Sequence, residues 1–164
     1  MFKEKIKEYI PYLVIVIVVI VIRTYFFTPI KVNGESMMNT LYDKDTMILN
    51  KIGMKFSELK RFDIVVIKVN NNYIIKRIIG LPGETIEYKN GKLYINGKVF
   101  KDPYYKDNTD DFIKVEVPNG YYFVMGDNRS DSLDSRIIGP INKDDIKGTT
   151  NLVIFPFKNM GIVK

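Results

Sequence analysis

Apolar and polar positions fall into two regimes along this chain. From Tyr9 to Phe27 the sequence reads YIPYLVIVIVVIVIRTYFF, with no polar residue between Leu13 and Ile22 and so no amphipathic period. As a helix this run extends roughly 28 Å at about 1.5 Å per residue, close to the hydrocarbon thickness of a bilayer. A cleavable leader would be followed by a small-x-small site. Here Arg23, Thr24, Tyr25, Phe26 and Phe27 follow instead, an arginine able to snorkel and aromatics suited to an interface. Lys3, Lys5 and Lys7 precede the run and only Arg23 and Lys31 lie close behind it, so the positive-inside rule puts the N-terminus in the cytoplasm. The expected organisation is a cytoplasmic tail over 1–8, a single-pass transmembrane anchor in the cell membrane over 9–27 and an extracytoplasmic domain over 28–164.

After residue 31 the pattern shortens. Runs rich in Ile, Val, Tyr and Phe recur between turn residues, which predicts a mainly β domain built on an antiparallel sheet. The predicted strands are Met47–Asn50, Asp63–Val69, Tyr73–Ile79, Thr85–Tyr88, Leu93–Ile95, Phe112–Val117, Tyr121–Met125 and Leu152–Phe155. Asn90-Gly91 and Asn96-Gly97 supply the positive φ angles of type I′ hairpins, and Pro82-Gly83 and Asn119-Gly120 mark further turns. Lys101–Asp111 reads as a polar surface loop. Met54 and Phe56 suit either core packing or contact with lipid.

Composition narrows the chemistry. The chain has 164 residues and a net charge of +6, with no Cys, His or Trp. A Ser-His-Asp triad, a Cys-His dyad, a His-ligated metal and a disulfide framework each need a missing residue type. Nucleophilic chemistry therefore requires Ser or Thr with an unusual base. The basic residues are scattered rather than blocked, which argues against a nucleic-acid partner.

Three segments carry the candidate chemistry. Gly34-Glu35-Ser36-Met37-Met38-Asn39-Thr40-Leu41 places a serine soon after the apolar run; a lone Ser there is ordinarily a turn or cap residue, and only its context raises it. In Tyr73–Glu84, Lys76 and Arg77 interrupt an apolar strand, and alternation sends them to opposite faces, one of them inward. A strand lysine is more often solvated, yet Ile74, Ile75, Ile78 and Ile79 could desolvate this one and lower its pKa. Gly126–Arg136 interleaves Asp, Asn, Ser and Arg. A calcium loop fails on spacing, because Ser132 and Ile138 stand where Gly and Glu are needed, which leaves a cross-linked polar scaffold.

In that order and behind an apolar run, GESMMNTL, YIIKRIIGLPGE and GDNRSDSLDSR resemble the boxes of the bacterial type I signal peptidases, and LKRFDIVVI resembles a further box. The resemblance reaches from the apolar run to about Pro140 and implies an antiparallel β domain against the membrane. It further implies a serine endopeptidase that removes signal peptides from translocated preproteins. Ser36 matches the nucleophile and Lys76 its general base; Ser132 matches a hydroxyl that orients the lysine, and Asp134 and Arg136 a supporting ion pair, with Asp127 in the same scaffold. Backbone donors at Ser36 and at Gly34 or Glu35 would bind the oxyanion. The implied partners are signal peptides and membrane lipid, with no cofactor, metal or nucleic acid. The chain departs from the pattern at Gly34, where some members carry Ser, at Asn39, where Pro is common, and at Glu84, where Asp is common.

Other functions fit less well. Self-cleaving repressors share a Ser-Lys dyad but carry a DNA-binding helical domain, a sortase needs Cys and His, and the eukaryotic type of signal peptidase has His in place of the lysine. An anchored scaffold without activity would not depend on Ser36 or Lys76. The dyad reading predicts cleavage that falls at acid pH, and a weaker effect of Arg77→Ala than of Lys76→Ala.

Overall fold

The computed structural model describes residues 2–104 and 109–163, without the side chains of residues 2–6, 8, 55 and 56. The apolar run forms a helix, α1 (Phe2–Tyr25), because nothing in it offers the backbone another partner. It stops two residues before the expected end of the anchor. Phe27 already belongs to β1 (Phe27–Lys31), paired with Asn50. Pro29 is the reason, since it disfavours helix at the residue before it and cannot donate within one. The helix's final carbonyls are taken by Thr28 Oγ1, which donates to Arg23 O at 3.1 Å, and by Lys51 Nζ, which donates to Thr24 O at 3.1 Å. Among the described residues no helix is long and apolar enough to cross a membrane. The described side chains of the apolar stretch begin at Tyr9, about 26 Å of helix before Tyr25 at ~1.5 Å per residue.

The rest is antiparallel sheet. β2 (Thr46–Asn50), the short helix α2 (Gly53–Phe56), β3 (Ile64–Val69) and β4 (Asn72–Gly80) are followed by β5 (Thr85–Lys89), β6 (Lys92–Ile95), β7 (Lys98–Phe100) and β8 (Phe112–Glu116). Then come β9 (Tyr121–Met125), α3 (Ser135–Ile138), β10 (Ile141–Asn142), β11 (Ile146–Phe155) and β12 (Gly161–Ile162). The larger sheet has the order β1-β2-β11-β3-β4-β9-β10 with β12 on β11, and the smaller one β7-β6-β5-β8. Asn90 and Gly91 (φ 51° and 67°), like Asn96 and Gly97 (φ 52° and 74°), form the tight hairpins expected.

Strand β11 is the main difference from the sequence pattern. The sequence predicts only Leu152–Phe155, because Lys147-Gly148-Thr149-Thr150-Asn151 has no apolar alternation. The structure runs the strand from Ile146 through the middle of the sheet, between β2 and β3. Gly148 is required there, since a Cβ would strike the Asn50 carbonyl and the Leu49 side chain. Strands β1, β7, β10 and β12 are likewise too short or too polar to stand out in the sequence.

Three apolar clusters hold these layers together. One surrounds Val65, Ile67, Ile78 and Val124, and Met54 packs against it rather than standing free for lipid; the side chain of Phe56 lies outside the described residues. A second joins the two sheets, with Ile79, Phe123 and Met125 against Ile86, Tyr88 and Leu93. The third contains Val32, Met37, Leu41, Met47, Ile64 and Val153, and it fixes the Ser36 segment. Met37 is 2% and Leu41 0% exposed, and each such side chain contributes about 1.5–3 kcal/mol on burial.

Both charges of β4 are buried, where one was expected. Lys76 pairs with Val65 and Arg77 with Ile64, so they do face opposite ways. Val65 and Ile64 belong to different clusters, so both faces of the strand are covered and neither side chain reaches water freely.

Candidate active site

Residues 35–41 form a helical turn closed by Met38 N to Glu35 O at 2.9 Å and Leu41 N to Met37 O at 2.8 Å. Met37 and Leu41 point into the core and leave Ser36 at the surface of the turn. A second loop clamps this turn: Asn128 N donates to Ser36 O at 3.0 Å and Asn128 Nδ2 to Glu35 O at 3.2 Å. Gly126 makes the approach possible, because a Cβ there would collide with the Ser36 carbonyl and with Ser132 Oγ.

Lys76 reaches this turn from β4, with its Nζ 2.6 Å from Ser36 Oγ. The lysine is 3% exposed. Burial lowers its pKa to about 8, with Arg136 acting in the same direction and the carboxylates of Asp134, Asp127 and Asp131 opposing. About half of the amine is therefore neutral at pH 8, within hydrogen-bond reach of a hydroxyl proton.

Around this pair two arginines, Arg77 buried and Arg136 half-buried, meet the acidic loop. Arg77 grips Asp127 through Nε to Oδ1 at 2.8 Å and Nη2 to Oδ2 at 2.6 Å, and its Nη1 donates to Phe62 O at 2.8 Å. Thr40 Oγ1 donates to the same carboxylate at 2.5 Å, which ties the serine turn to Asp127. Arg136 holds Asp134 bidentately, at 2.9 Å on each oxygen. Burial raises the Asp134 pKa, but Arg136, the Gly126 N–H and the Ser132 hydroxyl together outweigh it and keep the carboxylate ionised. Ser132 Oγ is buried without a hydrogen-bond partner of good geometry among the described residues; it lies beside the site and is not bonded to Lys76.

The oxyanion expectations separate. Gly34 N donates to Asp43 Oδ1 at 3.0 Å. Glu35 is exposed, and its carbonyl accepts from Asn128 Nδ2. The Ser36 N–H donates to no described group. Asn39 has φ +58°, which proline's fixed negative φ forbids. Glu84 braces β4 by a bidentate pair with Arg61 at 2.6 and 2.9 Å.

The loop expected to be merely polar and exposed contributes residues that sequence reasoning missed. The Tyr104 ring lies 3.5 Å from the Arg77 guanidinium, and Asp102 pairs with Arg129. Arg129 in turn donates to Tyr88 Oη at 2.7 Å and to Gly126 O at 3.0 Å, and Arg136 Nη2 donates to Arg129 O at 2.7 Å. Arg129 was visible in the sequence as part of the third segment, but its partners were not. Nothing in a polar loop announces which of its acids turns inward. Residues 105–108 of that loop lie outside the described residues.

Comparison with known proteins places the chain in a family. The family model described as signal peptidase, peptidase S26, matches residues 6–155. Signal peptidase I of Bacillus amyloliquefaciens is 43% identical over 160 residues, which cover 90% of this chain and 86% of that protein. Signal peptidase I S of Bacillus subtilis (strain 168) is 42% identical over 172 residues, covering 96% and 94%. A crystal structure of a signal peptidase I from Enterococcus faecalis V583 superposes with a TM-score of 0.52 at 37% identity, covering 57% of this chain and 97% of that one. With a family match over most of its length and relatives of this identity, the chain belongs to the signal peptidase family, peptidase S26, and is a hydrolase of that family.

Proposed function

We propose that this protein is a membrane-anchored signal peptidase in which Ser36 is the nucleophile and Lys76 the general base. The observation that carries the reading is the 2.6 Å contact between Lys76 Nζ and Ser36 Oγ, made by an amine whose pKa burial lowers to about 8. Neutral Lys76 takes the serine proton as Oγ attacks the scissile carbonyl. The lysine then returns that proton to the leaving amine, and water activated by the same base clears the acyl-enzyme. The Ser36 N–H, which donates to no acceptor among the described residues, faces the developing oxyanion. Asp127, Asp134, Arg77 and Arg136 hold the loops that carry these groups, and the buried Ser132 hydroxyl lies against the Asp134 carboxylate.

The substrate binds as an added strand. β4 is paired with β3 along Asn72–Arg77, whereas β9 joins its other side only from Arg77 onward. The edge at Tyr73–Lys76 is therefore open to an extended peptide. Beside it lies a cavity of about 70 Å³ lined by Val32, Met37, Ile74 and Ile75 together with Ser36 and Lys76. A small apolar-walled cavity beside the serine suits a small side chain next to the scissile bond. The apolar length of α1 and the lysines before it support a single-pass anchor with its N-terminus in the cytoplasm.

Cleavage of a synthetic preprotein in detergent micelles tests the reading. Wild type cuts at mildly alkaline pH, and Ser36→Ala and Lys76→Ala each lose activity with an unchanged circular dichroism spectrum. Full activity in Lys76→Ala refutes the lysine's role.

A further inference from the structure

Beside the outer end of α1, one face of the large sheet is left open as a groove of about 1220 Å³. Ile30, Leu49, Val66 and Ile75, from four different strands, give it an apolar floor, and Lys31, Lys51, Lys143 and Lys147 line it as cations. Lys51 Nζ donates to Thr24 O at 3.1 Å and Lys147 Nζ to Asp144 O at 2.7 Å. These are backbone carbonyls, which position the ammonium groups without neutralising them. None of the four lysines forms an ion pair with a described carboxylate, and Asp144 alone among the lining residues is acidic. At one end the groove touches Thr24 and Tyr25 of α1, and at the other it shares Asn33, Tyr73 and Ile75 with the small cavity beside Ser36.

We infer that this groove binds one anionic phospholipid, with an acyl chain along the Ile30–Leu49–Val66–Ile75 floor and the phosphate among Lys51, Lys143 and Lys147. Uncompensated cations select an anion, and an apolar floor of this size selects an amphiphile over a free phosphate. The groove starts at the last turn of α1, which the anchor reading places at headgroup depth, so the inference rests on that reading. Occupancy brings the bilayer surface up to the entrance of the substrate edge.

The test uses the full chain reconstituted into phosphatidylcholine bilayers with a minor share of phosphatidylglycerol, and native mass spectrometry reads the lipid that stays bound. Wild type retains one phosphatidylglycerol in preference to phosphatidylcholine. Lys51→Gln/Lys147→Gln loses that preference by about fivefold per lysine, while Lys92→Gln/Lys98→Gln, on the small sheet, keeps it. Equal retention of the two lipids by wild type overturns the inference, as does an equal loss in the Lys92/Lys98 variant, which signifies diffuse attraction. Displacement of the lipid by millimolar inorganic phosphate overturns it too, in favour of a simple anion site. A chain that floats with no vesicle of either composition overturns the anchor reading and this inference with it, whereas one that floats but shows no lipid preference overturns the inference alone.

Discussion

Replacing Lys76 by Met is expected to stabilise the fold while it removes activity. Holding the ammonium at a pKa of about 8 rather than its ordinary 10.5 costs the folded state about 3 kcal/mol wherever the group is charged in both states. The contact with Ser36 Oγ returns about 1 kcal/mol, so the net gain of a well-packed Met is about 2 kcal/mol at pH 7. For a chain of this size that raises Tm by roughly 4–8 °C. The pH dependence carries the diagnosis. Below pH 8 the penalty in the wild type is complete. Between about 8 and 10.5 the folded protein binds fewer protons than the unfolded one, so wild-type stability rises with pH and the advantage of the variant shrinks. Above 10.5 lysine is neutral in both states and the advantage is gone. Urea unfolding followed by circular dichroism in detergent at pH 6.5, 8, 9.5 and 10.5 measures this convergence. A variant less stable than wild type at pH 6.5, or an advantage that does not change with pH, refutes the reasoning that burial is what lowers the lysine's pKa.

Other outcomes follow from the same geometry. Cleavage rises about tenfold per pH unit below 8 and levels above it, because the neutral lysine is the active form; a flat profile from pH 5 to 9 with chemistry rate-limiting contradicts this. Arg77→Ala destabilises the fold by about 3–5 kcal/mol, because it strands the buried Asp127 carboxylate. Arg77→Met/Asp127→Leu recovers much of that stability in thermal melts. Gly126→Ala pushes its methyl against the Ser36 carbonyl and Ser132, and lowers kcat by about 100-fold through misplacement of the nucleophile while Tm falls by only a few degrees. Asp102→Asn weakens the hold on Arg129 and lowers kcat with little effect on KM, as progress curves at saturating peptide will show.

The candidate site residues were legible in the sequence because they lie in short segments whose chemistry is local. A serine after Gly-Glu, a lysine among isoleucines and an Asp/Arg-rich loop can be named without coordinates, and a composition free of Cys and His already excludes the common dyads and triads. The Asn-Gly hairpins were legible for the same reason, since φ preference is a property of one or two residues. Tertiary structure alone decided what depends on partners distant along the chain. Lys76 and Arg77 are both buried because separate clusters cover the two faces of β4, and alternation within one strand says nothing about what lies over each face. Strand β11 is central despite its polar sequence because β2 and β3 supply its hydrogen bonds, and a backbone ladder asks little of side chains. The Gly34 N–H found Asp43, nine residues on, and Asp102 reached Arg129 from a loop with no sequence signal. Sequence thus determined which groups are available, and packing determined their exposure and pairing, because desolvation and ion pairing are set by whatever the fold brings within a few ångströms.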